Sequence, residues 1–200
     1  PLGIDNLWAG IPPNVEPRVA KLTNLPPVGP GAPGIPPESL RFRASPPEVG
    51  TNQEVFGRSD VRRACIPGAQ GIMNARSQAR FYAMLANLGE LDGIRLLSED
   101  RVRTFNIPRP PCDYDPVHGV PHHGTIGGLH FAGSPGMGAM GNNPRAFGHN
   151  GAGGSLGWAD PGNRLAVAVQ HNRMVPHGPP EESPLTPIGT AVREALGIPH

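Results

Sequence analysis

Charge, cysteine, lysine and long apolar runs are all scarce in this chain. Its 200 residues carry a formal net charge of +1 and only 16% charged side chains, which gives no field to gather nucleic acid or an anionic membrane surface. A small molecule or a protein is the kind of partner this leaves. Two cysteines, Cys65 and Cys112, do not make a disulfide framework, and reduced thiols are the expectation. No apolar run approaches the roughly 20 residues of a membrane span, and no secretory signal is visible. Lysine occurs once, as Lys21, so the basic residues are almost all arginine; this reads as codon bias and not as a phosphate-binding surface. No internal repeat is apparent.

Glycine and proline are what the chain has in excess. With 28 Gly and 27 Pro against 37% hydrophobic residues, one domain with a sizeable core must also carry long stretches of loop. Residues 1–60 hold a dozen prolines, among them Pro12-Pro13, Pro26-Pro27, Pro36-Pro37 and Pro46-Pro47, which exclude long helices and central strands. The segment reads as an irregular cover, with a proline-rich linker as the alternative. Lys21 lies in it and is assigned no role.

Residues 61–106 read as a helical unit. Asn74 is suited to an N-cap, and Phe81, Met84, Leu85 and Leu88 place a helix over residues 75–88, with Gly89 as the left-handed residue at its end. Asp92-Gly93 marks a tight hairpin, and Ser98 with Glu99 and Asp100 starts a short second helix. Arg62, Arg63, Arg76 and Arg80 form a basic stripe or a solvated face, and interleaved acidic residues favour the second. Residues 107–146 are loop-rich, with Gly127–Phe131 as a candidate strand. Here Cys112, Asp113, Asp115, His118, His122 and His123 gather metal-ligating residue types, but their spacing fits no standard zinc pattern. A solvated loop without metal or other cofactor is expected, and a metal-binding loop is the alternative.

In residues 147–200, Phe147-Gly148-His149 reads as a strand edge followed by a glycine-rich bend. A second strand, a Pro161-Gly162-Asn163 turn, the apolar strand Arg164–Val169 and a last helix over about 187–196 complete the chain. Met73, Met84, Phe147 and Trp158 are most simply core residues. Gly153-Gly154-Ser155-Leu156-Gly157 also satisfies Gly-x-Ser-x-Gly, the nucleophile elbow of α/β-hydrolases, and Asp160 and His171 follow in the required order. An elbow needs a helix after the serine, however, and the residues after Ser155 read as strand and turn. Ser155 is therefore expected to be structural, with an esterase using Ser155 as the alternative.

The word His149-Asn150-Gly151-Ala152-Gly153-Gly154-Ser155-Leu156-Gly157 resembles the third active-site motif of the serine β-lactamase and penicillin-binding-protein superfamily. It has the His-x-Gly form of β-lactamase-related esterases. A longer stretch, Arg62 to Val102, resembles the same family through Ile66-Pro67, Ala75-Arg76, Ala79-Arg80, Tyr82-Ala83, Leu85-Ala86-Asn87, Leu91-Asp92-Gly93 and Arg95-Leu96-Leu97-Ser98. Gln70 is a departure, since relatives often have asparagine or glycine there. Pro1–Asp5, Gly10-Ile11-Pro12 and Pro17-Arg18-Val19-Ala20 also look like the family. The resemblance covers most of residues 1–20 and 60–196, and residues 21–60 match weakly.

What the resemblance implies is an α+β fold of the β-lactamase/transpeptidase-like type, with an antiparallel sheet near the C-terminus and packed helices. It implies hydrolysis of a small-molecule ester, amide or β-lactam, or acyl transfer, through a serine acyl-enzyme. His149, Asn150 and Gly151 would line the substrate site, and the backbone N–H of Ala152 would donate to the oxyanion. The family's two other motifs are absent. Lys21 is preceded three residues earlier by Arg18, so Ser-x-x-Lys does not occur. Neither tyrosine stands two residues before an asparagine, and no serine does. The expectation is the C-terminal portion of a longer protein, inactive alone, whose missing N-terminal half belongs to the same domain and carries nucleophile and base. A non-catalytic pseudoenzyme or binding module with the same fold is the alternative.

Overall fold

A computed structural model describes residues 1–24, 36–49, 52–110, 112–117, 119–174 and 183–199. In chain order its elements are β1 (Leu7–Trp8), β2 (Thr23–Asn24), α1 (Leu40–Ala44), α2 (Gln53–Phe56), α3 (Ser59–Arg63), β3 (Ile72–Met73), α4 (Ala75–Ala86), β4 (Glu90–Leu91), β5 (Ile94–Arg95) and α5 (Glu99–Phe105). The second half holds β6 (Cys112–Asp115), β7 (Val120–His122), β8 (His130–Phe131), β9 (Phe147–Asn150), β10 (Leu156–Asp160), β11 (Leu165–Val169), β12 (Arg173–Met174) and α6 (Thr186–Leu196).

Four strands form the sheet that organises the rest, in the order β11-β10-β9-β8 and antiparallel throughout. All five residues of β10 are buried, because both faces of the strand are covered. Leu156 and Trp158 point to a cluster with Met137, Met140, Ala146 and Leu185. Ala159 points to the other side, where it joins Phe147, Phe131, Tyr82, Met84 and Leu85. Helix α4 lies over β10 and β11, and α6 packs on the opposite layer against a 3-10 turn at Gly138–Met140. Alternation along the strands thus sorts one set of apolar side chains to each layer. Among the described residues no strand pairs with the outer edge of β11.

The local signals explain where α4 starts and stops. The Asn74 side chain accepts from the Ser77 N–H at 2.8 Å, as an N-cap does. At the other end the helix stops at Ala86, two residues short of the apolar pattern. Gly89 N–H bonds the Met84 carbonyl at 2.8 Å and Leu88 N–H bonds that of Leu85 at 3.1 Å, a Schellman ending. The left-handed residue at its heart is Leu88, at φ +53°, with Gly89 following at φ +97°. A branched side chain there costs about 1–2 kcal/mol, offset by packing of Leu88 on the apolar cluster beneath α4. The Asp92-Gly93 hairpin between β4 and β5 forms as read, with both residues at positive φ. The strand expected over 127–131 shrinks to His130–Phe131, because Thr125 to Leu129 closes a turn through Gly128 N–H to Thr125 O at 3.0 Å.

Arg193 of α6 is 1% exposed. Its guanidinium donates to the carbonyls of Ala139, at 2.8 Å, and Met140, which fixes the helix to the 3-10 turn. Burial pulls this guanidinium below its usual pKa, and Asp160 opposes that shift.

The proline-rich N-terminal segment is tied down at several points. Leu2 is buried in the core, and its carbonyl accepts from Arg80 Nε at 2.8 Å. Strand β1 pairs with β3, Ile11 N–H bonds the Arg62 carbonyl at 3.0 Å, and β2 runs parallel to β12. Arg62 pairs with Glu16, and Arg80 pairs with Asp92 at 2.5 Å. Neither is a free cation on a basic stripe.

Candidate functional site

The glycine-rich word folds into the bend between β9 and β10. Gly151 N–H donates to the Ser155 carbonyl at 2.7 Å and Gly154 N–H to that of Gly151 at 2.9 Å, with Gly154 at φ +97°. Gly153 lies against Met174 of β12, its missing Cβ 3.4 Å from Cγ. Gly151 and Ala152 are exposed at the tip. Among the described residues the Ala152 N–H has no hydrogen-bond acceptor.

His149 is exposed on β9, with Nδ1 2.6 Å from the Asn150 carbonyl oxygen. A carbonyl only accepts, so Nδ1 carries the hydrogen and, in the neutral ring, Nε2 carries the lone pair. The His130 ring lies alongside, centroids 5.0 Å apart and planes at 49°. Asn150 is sent to the opposite face by strand alternation, where its amide nitrogen packs on Gly136, 3.2 Å from the position of a Cβ. The sequence reading groups His149 and Asn150, and the structure separates their side chains.

Beneath His149 lies its strand partner Gly157, and Tyr82 and Gln78 of α4 fill the space a side chain at 157 would take. Gln78 accepts from Gln170 at 2.6 Å. Burial pushes the Tyr82 hydroxyl up to about 12, and the backbone N–H of His149 works against that shift. Tyr82, Gln78, Gln170 and His130 escape a reading for motifs. Only the register of β8 on β9 and of α4 on the sheet brings them to the bend.

Ser155 precedes strand β10 and not a helix. Its Oγ accepts from the backbone N–H of His171 at 3.4 Å, not from the imidazole. Asp160 sits at the other end of β10, about 16 Å away at 3.2–3.4 Å per residue, buried and bonded by the side-chain amides of Asn143 at 2.7 Å and Asn163 at 2.8 Å. The strand-turn-helix of a nucleophile elbow is not formed.

In the 112–123 segment, β6 and β7 make an irregular hairpin. His118 and the side chains of Cys112, Asp113 and His122 lie outside the described residues. His123 is exposed, its ring edge-on to Phe131 at 5.4 Å. Among the described residues no group of three or more His, Cys, Asp or Glu side chains is gathered to hold a metal, and no helix is long and apolar enough to cross a membrane.

The β-lactamase family model matches residues 1–186. The chain is 39% identical over 126 residues to the esterase/beta-lactamase LipL of Mycobacterium tuberculosis, a match covering 63% of this chain and 28% of that protein. Among solved structures, EstA from Arthrobacter nitroguajacolicus Rue61a superposes with a TM-score of 0.78 at 27% identity, covering 98% of this chain and 51% of EstA. A family VIII carboxylesterase gives 0.76 at 28% identity, over 96% of this chain and 48% of its own. A penicillin-binding-protein homolog from Caulobacter crescentus gives 0.67 at 28%, over 87% and 44%. The chain therefore spans about half the length of these solved proteins, or less. A four-stranded antiparallel sheet between helical layers, the glycine-rich bend at its edge and a family match over nearly all of the sequence lead to one conclusion: this chain belongs to the β-lactamase family.

Proposed function

We propose that the chain is the C-terminal part of a β-lactamase-related serine hydrolase that cleaves a small-molecule ester, amide or β-lactam through a serine acyl-enzyme. The observation that carries this reading is the Ala152 N–H, which has no acceptor among the described residues, at the exposed bend, next to His149 on the strand that the family uses to border its cleft. A serine and its base come from the part of the protein that precedes residue 1. Attack of the serine oxygen on the substrate carbonyl places negative charge on the carbonyl oxygen, and the Ala152 N–H donates to it. Loss of the alcohol or amine leaves the acyl-serine, which water then hydrolyses. One such fixed donor is worth about 3 kcal/mol of barrier. Gly151 lets the backbone approach the substrate, His149 lines the site with Nε2, and Asn150 supports the bend from the other face through Gly136.

The test is Ala152→Pro in the intact parent, which removes the N–H. The expected result is a loss of about 10²–10³ in kcat with an unchanged melting temperature, while residues 1–200 alone turn over no ester. Ester hydrolysis by residues 1–200 at the parent's rate, or full activity of the folded proline variant, overturns the reading. A parent that lacks Ser-x-x-Lys and binds the substrate without turnover is instead a pseudoenzyme.

A further inference from the structure

We propose that Gln78 and Gln170 act as a positioning pair for the bend between β9 and β10, holding His149 and the Ala152 N–H where the acyl-transfer step needs them. The inference rests on the hydrolase reading and adds to it the residues that place its oxyanion donor.

Strand register brings the two glutamines to the site. Ala168, Gly157 and His149 stand opposite one another across β11, β10 and β9, and residues directly opposite in antiparallel strands share a face. Helix α4 covers that face at Gly157, where Cδ and Nε2 of Gln78 each lie 2.7 Å from the position of a Cβ. The Gln78 carboxamide is therefore laid on the backbone of the strand next to His149. Its Oε1 accepts from Nε2 of Gln170 at 2.6 Å, and Gln170 directly follows β11. One side-chain hydrogen bond thus ties the helix to the end of β11 over the strand that supports the bend.

Both glutamines are half-buried, and Gly157 is buried. Packing alone does not call for amides here, because a carboxamide gives up water that an apolar side chain of the same size would not miss. What the amides add is direction: a satisfied hydrogen bond fixes two flexible side chains in one arrangement. Ala152 follows His149 by three residues, and the Gly151 N–H to Ser155 carbonyl bond at 2.7 Å closes the bend onto the start of β10, two residues before Gly157. A shift of Gly157 therefore reaches Ala152 from both sides of the bend. An oxyanion donor has to stand about 2.7–3.1 Å from the developing charge, so such a shift is felt in the transition state. Neither glutamine is assigned a contact with a reacting atom. Their loss should lower kcat and leave KM alone.

The experiment compares Gln78→Met, Gln170→Met and the double variant in the intact parent, after a fluorophosphonate probe has shown whether that parent carries a reactive serine. The expected result is a fall of about tenfold in kcat for each single variant with KM within about twofold. The double variant should be no worse than either single one, because both changes remove the same hydrogen bond. A second readout needs no activity: in residues 1–200, the 15N order parameters of Gly151 and Ala152 should be lower in Gln78→Met than in the wild type, toward the value of about 0.6 that marks flexible backbone. Unchanged kcat in the folded variants overturns the proposal, and so does a loss that follows a lowered melting temperature with the order parameters of the bend unmoved. A parent without a reactive serine removes the hydrolase reading and this positioning role with it. A labelled parent indifferent to both substitutions removes the positioning role alone.

Discussion

The ring of Tyr82 occupies the space that a side chain at Gly157 would need. This is the contact at which α4 meets the central strand, one residue across from His149 in the adjoining β9. Helix, strand and glycine-rich bend are therefore set by one close approach, and glycine at 157 permits it.

Gly157→Ala inserts a methyl group against Tyr82 and Gln78. The expected loss is about 1–3 kcal/mol, the range for overpacking a filled core, read from urea denaturation at constant slope. An unchanged midpoint would mean that α4 does not sit on β10 as described.

Tyr82 links this contact to pH. Its hydroxyl is held up to about 12 by burial, against about 10 in an unfolded chain. Between those values the unfolded state has lost a proton that the native state keeps, so stability is full below about pH 10 and falls as pH rises toward 12. Absorbance at 295 nm should show a late phenol ionisation that Tyr82→Phe removes. Complete ionisation near pH 10, with the protein still folded, would contradict the burial.

Arg193 carries the opposite layer. Replacing it with methionine keeps apolar bulk but strands the carbonyls of Ala139 and Met140, and about 3 kcal/mol of stability should go with the charged hydrogen bonds. Lysine at the same position recovers only part, since one ammonium does not reproduce the planar fork. Thermal or urea unfolding of both variants decides it, and a methionine variant as stable as the wild type would remove the pin.

Ser155→Ala in the intact parent should leave ester turnover within a few-fold of the starting value. The hydroxyl meets a backbone N–H of His171, and Asp160 is engaged at the far end of the strand. A loss of a hundredfold or more would return Ser155 to the role of nucleophile.

Local chemistry made much of this fold readable in advance. Asn74, Ser98 and Asp92-Gly93 act within three or four residues of themselves, and each caps or turns the chain where its side chain indicates. Leu88 shows the limit of such signals. Glycine at 89 announces the helix end, yet the Schellman hydrogen bonds assign the first left-handed position to the leucine before it. The neighbours of the bend were further out of reach. His130 meets His149, Tyr82 meets Gly157, and Arg193 meets Met140 across separations that only strand register and layer packing determine. Asn150 belongs to the same lesson: alternation sends it away from His149, but its seat on Gly136 depends on a loop whose path no motif encodes.

The proposed role as the C-terminal part of a serine hydrolase requires a nucleophile outside residues 1–200. Labelling of the intact native protein with a fluorophosphonate probe, followed by peptide mapping, locates that nucleophile. The expected result is a single modified serine, followed three residues later by lysine, in sequence preceding Pro1, and no adduct on any serine of residues 1–200. An adduct on Ser155, or a mature protein that begins at Pro1 and takes up no label, would contradict it.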